Sequence, residues 1–367
     1  MKTRVGITGA AGQLGFVTRA RLAFHHDMQV TATTRASFGD PAALAAFVRE
    51  CDAIVHLAGV NRASDEEIET GNRDLAQRLV DACARAGSAA HIVFATSIHR
   101  DSDGAYGRAK RAAGDILGAF CDAQGCRHTE IVLPNLFGEF SRPYYNNFVG
   151  TFCVQVARGE QPSIVEDRSI ELLHYLDASD CIAEAIVRGA CGEVRPRGTL
   201  TSVGAVAGQL KRFHAIYSSG DIPNLRDRFD LSLFNTYRSA LFPDRGPVRL
   251  ERRADPRGSF FECVRSDAGG QTSFSTSLPG VVRGNHFHFR KVERFVVLKG
   301  EALIGVRKLF SDHVRTHRAS GDDPCFVDMP TLCTHNLRNI GDDELLTLFW
   351  TNDRFDPQDP DTYAEPV

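Results

Sequence analysis

Gly280-Val-Val-Arg-Gly-Asn-His286-Phe-His288-Phe-Arg-Lys-Val-Glu293-Arg-Phe-Val-Val-Leu-Lys-Gly300, followed later by Pro330-Thr-Leu-Cys-Thr-His335, is the stretch that decides how the last third of this chain is read. Histidines that alternate with phenylalanines on a strand put both imidazoles on one side. Glu293 and His335 complete a set of three imidazoles and one carboxylate, which suits Zn²⁺, Fe²⁺, Mn²⁺ or Ni²⁺ without choosing among them. A lone histidine is more often packed or solvated, but four donors at this spacing predict a metal site. Around them, β-prone runs at 260–264, 272–276, 295–298 and 345–350 are separated by Gly, Pro and Asp, which predicts an antiparallel barrel or jelly roll. Upstream, 243–247 reads as a hinge, 203–216 as helix, and 222–242 as helical or partly irregular.

The first third has a different pattern. A β-prone run at 4–8 leads into Gly9-Ala-Ala-Gly12-Gln-Leu-Gly15, and 16–24 can continue as an amphipathic helix. Strand, glycine turn and helix in that order suit a dinucleotide. The backbone must turn tightly, approach a pyrophosphate, and aim a helix N-terminus at it. A second strand at 29–34 ends at Arg35, where an acidic residue would serve the ribose of NAD. Arginine suits a 2′-phosphate, so NADPH is the expected cofactor. A third strand ends in small residues, Ala58 and Gly59, where a nicotinamide would pass, and Asn72, which opens a helix over 73–86, is expected with Ala58 among the cofactor-binding residues. The strand 92–97 ends in the hydroxyls Thr96 and Ser97, and Tyr106-Gly-Arg-Ala-Lys110 places a phenol and an ammonium on one helical face. A tyrosine gives a proton to a carbonyl oxygen near neutral pH when a neighbouring cation favours its phenolate. Lys110 is that cation, and Ser97, ahead of Thr96, would hydrogen-bond the same oxygen.

Composition narrows the class. A chain of 367 residues suits two or three domains, and a formal charge of −3 gives no reason to expect nucleic acid or a membrane surface as partner. Ten cysteines occur without CxxC pairs, and no charged leader precedes an apolar stretch, so free thiols in the cytoplasm are expected.

The Gly9–Gly15 turn with Ser97, Tyr106 and Lys110 resembles the extended short-chain dehydrogenase/reductase family, and the 280–300 and 330–335 runs resemble the two-part motif of cupin barrels. Ser97 and Tyr106 are closer in sequence than in most extended reductases. Leu332 stands where the second cupin motif usually has glycine. Three further stretches, Ser141-Arg142-Pro-Tyr-Tyr-Asn-Asn147, 222–237 and the tail 355–363, make nearly the whole chain similar to the CapF/WbjC-type bifunctional capsular polysaccharide synthesis enzymes. The resemblance implies a Rossmann-type extended reductase domain at 1–243 and an all-β cupin domain at 244–367. It also implies a UDP-2-acetamido-2,6-dideoxy-hexos-4-ulose substrate, C3 epimerisation in a zinc-bearing cupin, NADPH reduction at C4 towards UDP-N-acetyl-L-fucosamine, and a homodimer. It assigns Asn135 and Arg142 to the nucleotide sugar. Phe289 stands where close relatives are expected to be polar, and Lys291 is a candidate epimerase base by proximity. Two alternatives stay open: reduction alone with the cupin as a structural dimerisation module, and a sensor that binds NADP and sugar without turnover.

Overall fold

Val5, Ile7, Val55 and Val93 have no exposed surface because their strands lie inside a parallel sheet covered on both faces. In the computed structural model, which describes residues 2–256, 258–267 and 269–367, this sheet has six strands. Their spatial order is Gln29–Ala32, Arg4–Thr8, Ala53–His56, His91–Ser97, His128–Leu133 and Gly192–Val194, all parallel. One face packs on Ile182 and Ile186, and the other, through Ile54, Ile92 and Phe94, on Leu79 and Leu117. Each such side chain, fully buried, is worth about 1.5–3 kcal/mol. The first strand lies between the second and third, so the chain switches direction across the sheet at the carboxyl ends of Arg4–Thr8 and Ala53–His56. That crevice is where open α/β sheets hold ligands.

Several boundaries differ from the sequence expectation. The helix after the glycine turn begins at Gln13, runs to Ala20 and continues as a π turn, Arg21–His25. The expected strand 29–34 stops at Ala32, and Thr34 caps a short helix, Arg35–Gly39, through a reciprocal bond with Ser37. The helix expected to open at Asn72 instead spans Asp65–Ala86. Its true cap is Ser64, whose Oγ accepts from Glu67 N while the Glu67 carboxylate accepts from Ser64 N.

Beyond a small three-stranded sheet of Asn135–Phe137, Ser169–His174 and Thr199–Ser202, the last third of the chain is built on two five-stranded antiparallel sheets. One runs Val248–Arg249, Cys325–Met329, Glu293–Lys299, Leu345–Thr351, Gln271–Ser277; the other runs Val314–Ser320, Glu301–Lys308, Cys333–Asn339, Val282–Phe287, Tyr363–Ala364. Phe295, Val297, Ile304, Val306, Val327, Met329, Leu337 and Leu345 fill the space between them. Of the run expected at 260–264, only Phe260 is in a strand, paired within Arg253–Asp255 and Gly258–Phe260.

By contacts the chain divides into two compact units, Met1–Phe137 with Ser169–Thr201, and Gly138–Arg168 with Ser202–Val367. The helices Phe148–Ala157, Val203–Ser218 and Arg228–Leu241 therefore group with the barrel, although the change from helix to strand still falls between Leu241 and Val248. Rings of Phe213, Tyr217, Phe234 and Tyr237 pack edge-on or tilted between the last two helices. Arg294 and Asp328, both almost fully enclosed, pair bidentately at 2.7 and 3.0 Å, and Tyr217 donates to Asp328 at 2.6 Å. Strand alternation sends Arg294 towards these helices and its neighbour Glu293 into the barrel. Among the described residues no helix is long and apolar enough to cross a membrane.

Candidate active sites

The glycine turn is sterically locked. Gly9 has φ +74°, and a Cβ there would sit 2.6 Å from Ala58 N; one at Gly15 would sit 2.3 Å from the Gly9 carbonyl oxygen. Only glycine fits both places. Gly12 closes the turn by donating to the Gly9 carbonyl at 3.0 Å, and as N-cap of Gln13–Ala20 it offers no side chain to the first helical N–H groups. Those donors suit a pyrophosphate. Ala58 lies across the switch point, its N–H reaching Thr8 Oγ1 at 3.4 Å. The Arg35 guanidinium is exposed and has no hydrogen-bond or ionic partner among the described residues. Asn72 is placed otherwise than expected. Its carboxamide donates to the carbonyls of Val60 (2.7 Å) and Ile68 (2.8 Å) and accepts from Val60 N (3.2 Å). It fixes the 57–60 loop from inside a helix and is occupied by the protein itself.

Tyr106 and Lys110 share the helix Ala105–Gln124, with Lys110 Nζ 5.9 Å from the centre of the Tyr106 ring. Lys110 is buried, donates to the Ala95 carbonyl at 3.0 Å and lies 4.8 Å over Phe94. Burial pulls its ammonium down to about 8 against an opposing pull from Glu130, and burial pushes the Tyr106 phenol up. The phenol thus stays protonated beside a cation. Ser97 ends its strand half-buried and caps a 3₁₀ turn, Ile98–Asp101, by accepting from His99 N at 3.3 Å. The short link from Ser97 to Tyr106 is accommodated at Gly107, where a Cβ would meet the Ser102 carbonyl at 2.3 Å. Thr96 Oγ1 is buried without a hydrogen-bond partner among the described residues. His56, which had no expected role, is enclosed between Phe38 and Phe94, bonds Thr8 at 2.8 Å, and is driven by burial and then by Lys110 down to about 3. It stays neutral. Asn135 donates weakly to the Glu171 carbonyl at 3.5 Å in the first unit, and Arg142 is exposed in the second, its guanidinium 4.8 Å over the Tyr145 ring.

In the barrel the four expected donors converge. Ligand atoms of His286, His288, Glu293 and His335 all lie within 4.8 Å of one another. A bulge makes this possible. Gly284 (φ +96°) and Asn285 (φ +58°) break the register of Val282–Phe287 against Cys333–Asn339 and bring His286 opposite His335. A Cβ at Gly284 would lie 2.8 Å from the His335 carbonyl oxygen. His288 Nδ1 donates to the Asp361 carbonyl at 2.6 Å and His335 Nδ1 to the Cys333 carbonyl at 3.3 Å. With those tautomers both Nε2 lone pairs face the same Glu293 oxygen at 3.1 and 3.0 Å, and His335 Nε2 has no hydrogen bond of acceptable geometry. Lone pairs and a carboxylate crowded together call for a positive charge at their focus, so this donor set fits a divalent cation. Burial alone would raise Glu293, but His288 and His335 in their protonated forms would hold it far below the usual carboxylate range. Burial pulls His286 down to about 4, while Glu293 outweighs burial and raises His288. A second grouping, His25, His26 and Asp180, does not fit a cation, because Arg21 already pairs bidentately with Asp180 at 2.7 and 2.9 Å.

His286, His288 and Glu293 open on a cavity of about 270 Å³ that Gln271, Ser273, Lys291, Phe349 and Thr362 also line, and His335 lies fully buried behind them. Lys291 Nζ donates to the Pro360 carbonyl. Phe289 does not reach this cavity; it is fully buried against Phe287 and Tyr363. Leu332 adopts φ +59°, the conformation that explains a preference for glycine there, and its N–H holds the His288 carbonyl at 2.9 Å.

Comparison with known proteins agrees with both halves. Residues 5–194 match the NAD dependent epimerase/dehydratase family, and 253–363 match the polysaccharide biosynthesis C-terminal domain. The chain is 34% identical over 369 residues, 98% of each chain, to the UDP-2-acetamido-2,6-beta-L-arabino-hexul-4-ose reductase of Pseudomonas aeruginosa. The crystal structure of the capsular polysaccharide assembling protein CapF from Staphylococcus aureus aligns with a TM-score of 0.61 at 30% identity, over 99% of this chain and all of that one. A UDP-N-acetylglucosamine 4-epimerase from Bacillus cereus shares the fold alone, at 20% identity and TM-score 0.51 over 58% of this chain and 82% of its own. An epimerase/dehydratase region and a polysaccharide biosynthesis C-terminal region thus occur together in a chain that aligns with these two relatives over nearly its whole length. The chain belongs to the NAD dependent epimerase/dehydratase family, as a CapF/WbjC-type capsular polysaccharide enzyme and a nicotinamide-dependent oxidoreductase.

Proposed function

We propose that this enzyme acts on UDP-2-acetamido-2,6-dideoxy-hexos-4-ulose, inverting C3 in the barrel and reducing the C4 ketone at the Rossmann-type sheet, towards UDP-N-acetyl-L-fucosamine. The observation that carries the reading is the convergence of His286, His288, Glu293 and His335 on one another in a chain that also holds Tyr106 and Lys110 on one helical face. In this reading residues 1–243 form the reductase and 244–367 the epimerase. The protein works as a cytoplasmic homodimer with NADPH and zinc.

A C4 ketone acidifies the C3 proton, and reprotonation from the opposite face inverts C3. When bound, a divalent cation supplies a Lewis acid for the carbonyl oxygen and a nicotinamide supplies hydride. His286, His288, Glu293 and His335 would hold the cation. At the other site Gly9, Gly12 and Gly15 admit the pyrophosphate, Arg35 meets the 2′-phosphate, and Ala58 leaves room for the nicotinamide. Ser97 hydrogen-bonds the C4 oxygen, and Tyr106 gives it a proton, with Lys110 stabilising the phenolate left behind. Removing the ketone removes the acidity at C3, so reduction traps the epimer. Asn135 and Arg142 serve the nucleotide sugar.

Tyr106→Phe tests the reductase half. It should lower NADPH oxidation with this keto-sugar by roughly 10²–10⁴-fold; unchanged turnover would sink the assignment. A second reading, reduction alone with the barrel as a structural module, draws support from the cavity lining. Besides His286, His288 and Glu293, Lys291 is its one titratable group among the described residues, and its ammonium is held by the Pro360 carbonyl.

A further inference from the structure

His288 lies one residue past the end of the strand Val282–Phe287, on a loop whose backbone N–H groups have left the sheet. Buried donors of this kind need partners. Three consecutive ones find the same carboxylate: Phe289 N reaches Asp361 Oδ1 at 3.1 Å, and Arg290 N and Lys291 N reach Asp361 Oδ2 at 2.9 and 3.0 Å. The Asp361 backbone carbonyl takes the His288 Nδ1 proton at 2.6 Å. One residue therefore fixes both the course of the ligand loop and the tautomer of its imidazole. Asp361 has no exposed surface and sits at φ +40°, which aspartate tolerates better than most residues. Its segment is anchored on both sides. Tyr363 stacks on Phe287 with ring centres 5.4 Å apart, and Glu365 N reaches the Asn285 carbonyl at 2.9 Å. Phe355 and Thr362 of the same strap line the cavity.

We infer that Asp361 is a positioning residue for the barrel's cation site, holding His288 and the 289–291 loop in the geometry a divalent cation requires. The inference rests on the metal reading of the four donors. An imidazole whose outer nitrogen is fixed presents its other nitrogen in one direction, and loss of such a partner weakens metal affinity about 10–100-fold. Three N–H donors on one carboxylate also require both oxygens, so asparagine can satisfy only part of the set.

The test is a titration of metal-stripped full-length protein with Co²⁺, followed by its visible absorption bands. Asp361→Gly keeps the backbone carbonyl and the left-handed conformation but removes the carboxylate. With the 289–291 N–H groups released, that carbonyl is no longer held against His288, so the variant should bind Co²⁺ up to about 10–100-fold more weakly with altered bands, and Asp361→Asn should fall between it and the unaltered chain. Asp359→Asn, which removes only the exposed pair with Arg290 at 2.6 Å, should bind like the unaltered chain. A folded Asp361→Gly with unchanged affinity and bands would overturn the role of Asp361 alone. Should that variant fail to fold, an unchanged affinity and spectrum in Asp361→Asn would overturn it equally. Absence of Co²⁺ binding by the unaltered chain would overturn the metal reading itself.

Discussion

Asp328→Ala removes one half of an ion pair that the second unit cannot solvate. Arg294 is 1% exposed, and without Asp328 its guanidinium keeps, among the described residues, only the bond to the Gly220 carbonyl at 2.8 Å and its contact with Phe326. Breaking a buried pair from one side costs about 3–5 kcal/mol, and leaving the Tyr217 hydroxyl without its acceptor costs about 1–3 kcal/mol. The groups form one network, so the costs overlap. The expected loss is about 4 kcal/mol, or about 8–16 °C in the melting of a unit of this size. Burial opposes the charge on Asp328, but Arg294 outweighs it and brings the carboxyl down to about 2. A carboxylate depressed in the folded state stabilises above its unfolded value, and the gain disappears as pH falls through about 2. The full difference between variant and parent is therefore present at neutral pH. Differential scanning calorimetry of Asp328→Ala beside an Arg294→Met/Asp328→Leu double variant provides the assay. The apolar pair should recover most of the loss, because burying two charges is itself costly. A single variant that loses less than about 1 kcal/mol, or a double variant as unstable as the single, would refute the reasoning.

Two further outcomes concern the reductase. Lys110, held at about 8 chiefly by burial, is charged below that pH, so kcat for keto-sugar reduction should decline as pH rises through about 8; Lys110→Met should lower the plateau and abolish that decline. A plateau extending past pH 10 in the unaltered enzyme would contradict the role given to the ammonium. Arg35→Ala should raise KM for NADPH by about 10–100-fold while leaving KM for NADH nearly constant, since only one cofactor carries the phosphate. Equal effects on both would remove Arg35 from the site.

The parts of this molecule legible in its sequence are those set by local rules. Gly9, Gly12 and Gly15 announce a turn because no other residue fits it, and the alternation His286-Phe-His288 announces a strand face because the period of a strand is two. What could not be read depends on distant partners. Asn72 looked like a helix opener because asparagine favours caps, yet Ser64 and Glu67 had already formed a capping box eight residues earlier. The Ser64-x-x-Glu67 spacing is itself a local signal of that helix start. Asp361 acts on a loop some seventy residues away in sequence, and the proline-flanked tail that carries it has no local periodicity to betray that role. The bulge at Gly284 and Asn285 likewise follows from pairing with Cys333–Asn339, which a strand's own sequence does not reveal. Leu332 is the reverse case. A departure visible in the sequence proves, in the structure, to be a left-handed residue tolerated at a buried turn.

The central claim, two chemistries on one keto-sugar, is tested most directly by mass spectrometry of UDP-2-acetamido-2,6-dideoxy-hexos-4-ulose incubated with the enzyme in D₂O, with and without NADPH. The account predicts a reduced product with NADPH. Without NADPH it predicts deuterium incorporated at C3, which disappears in His288→Ala while reduction of an already epimerised substrate persists. Reduction without solvent exchange at C3 would contradict the epimerase half, and exchange without reduction would contradict the reductase half.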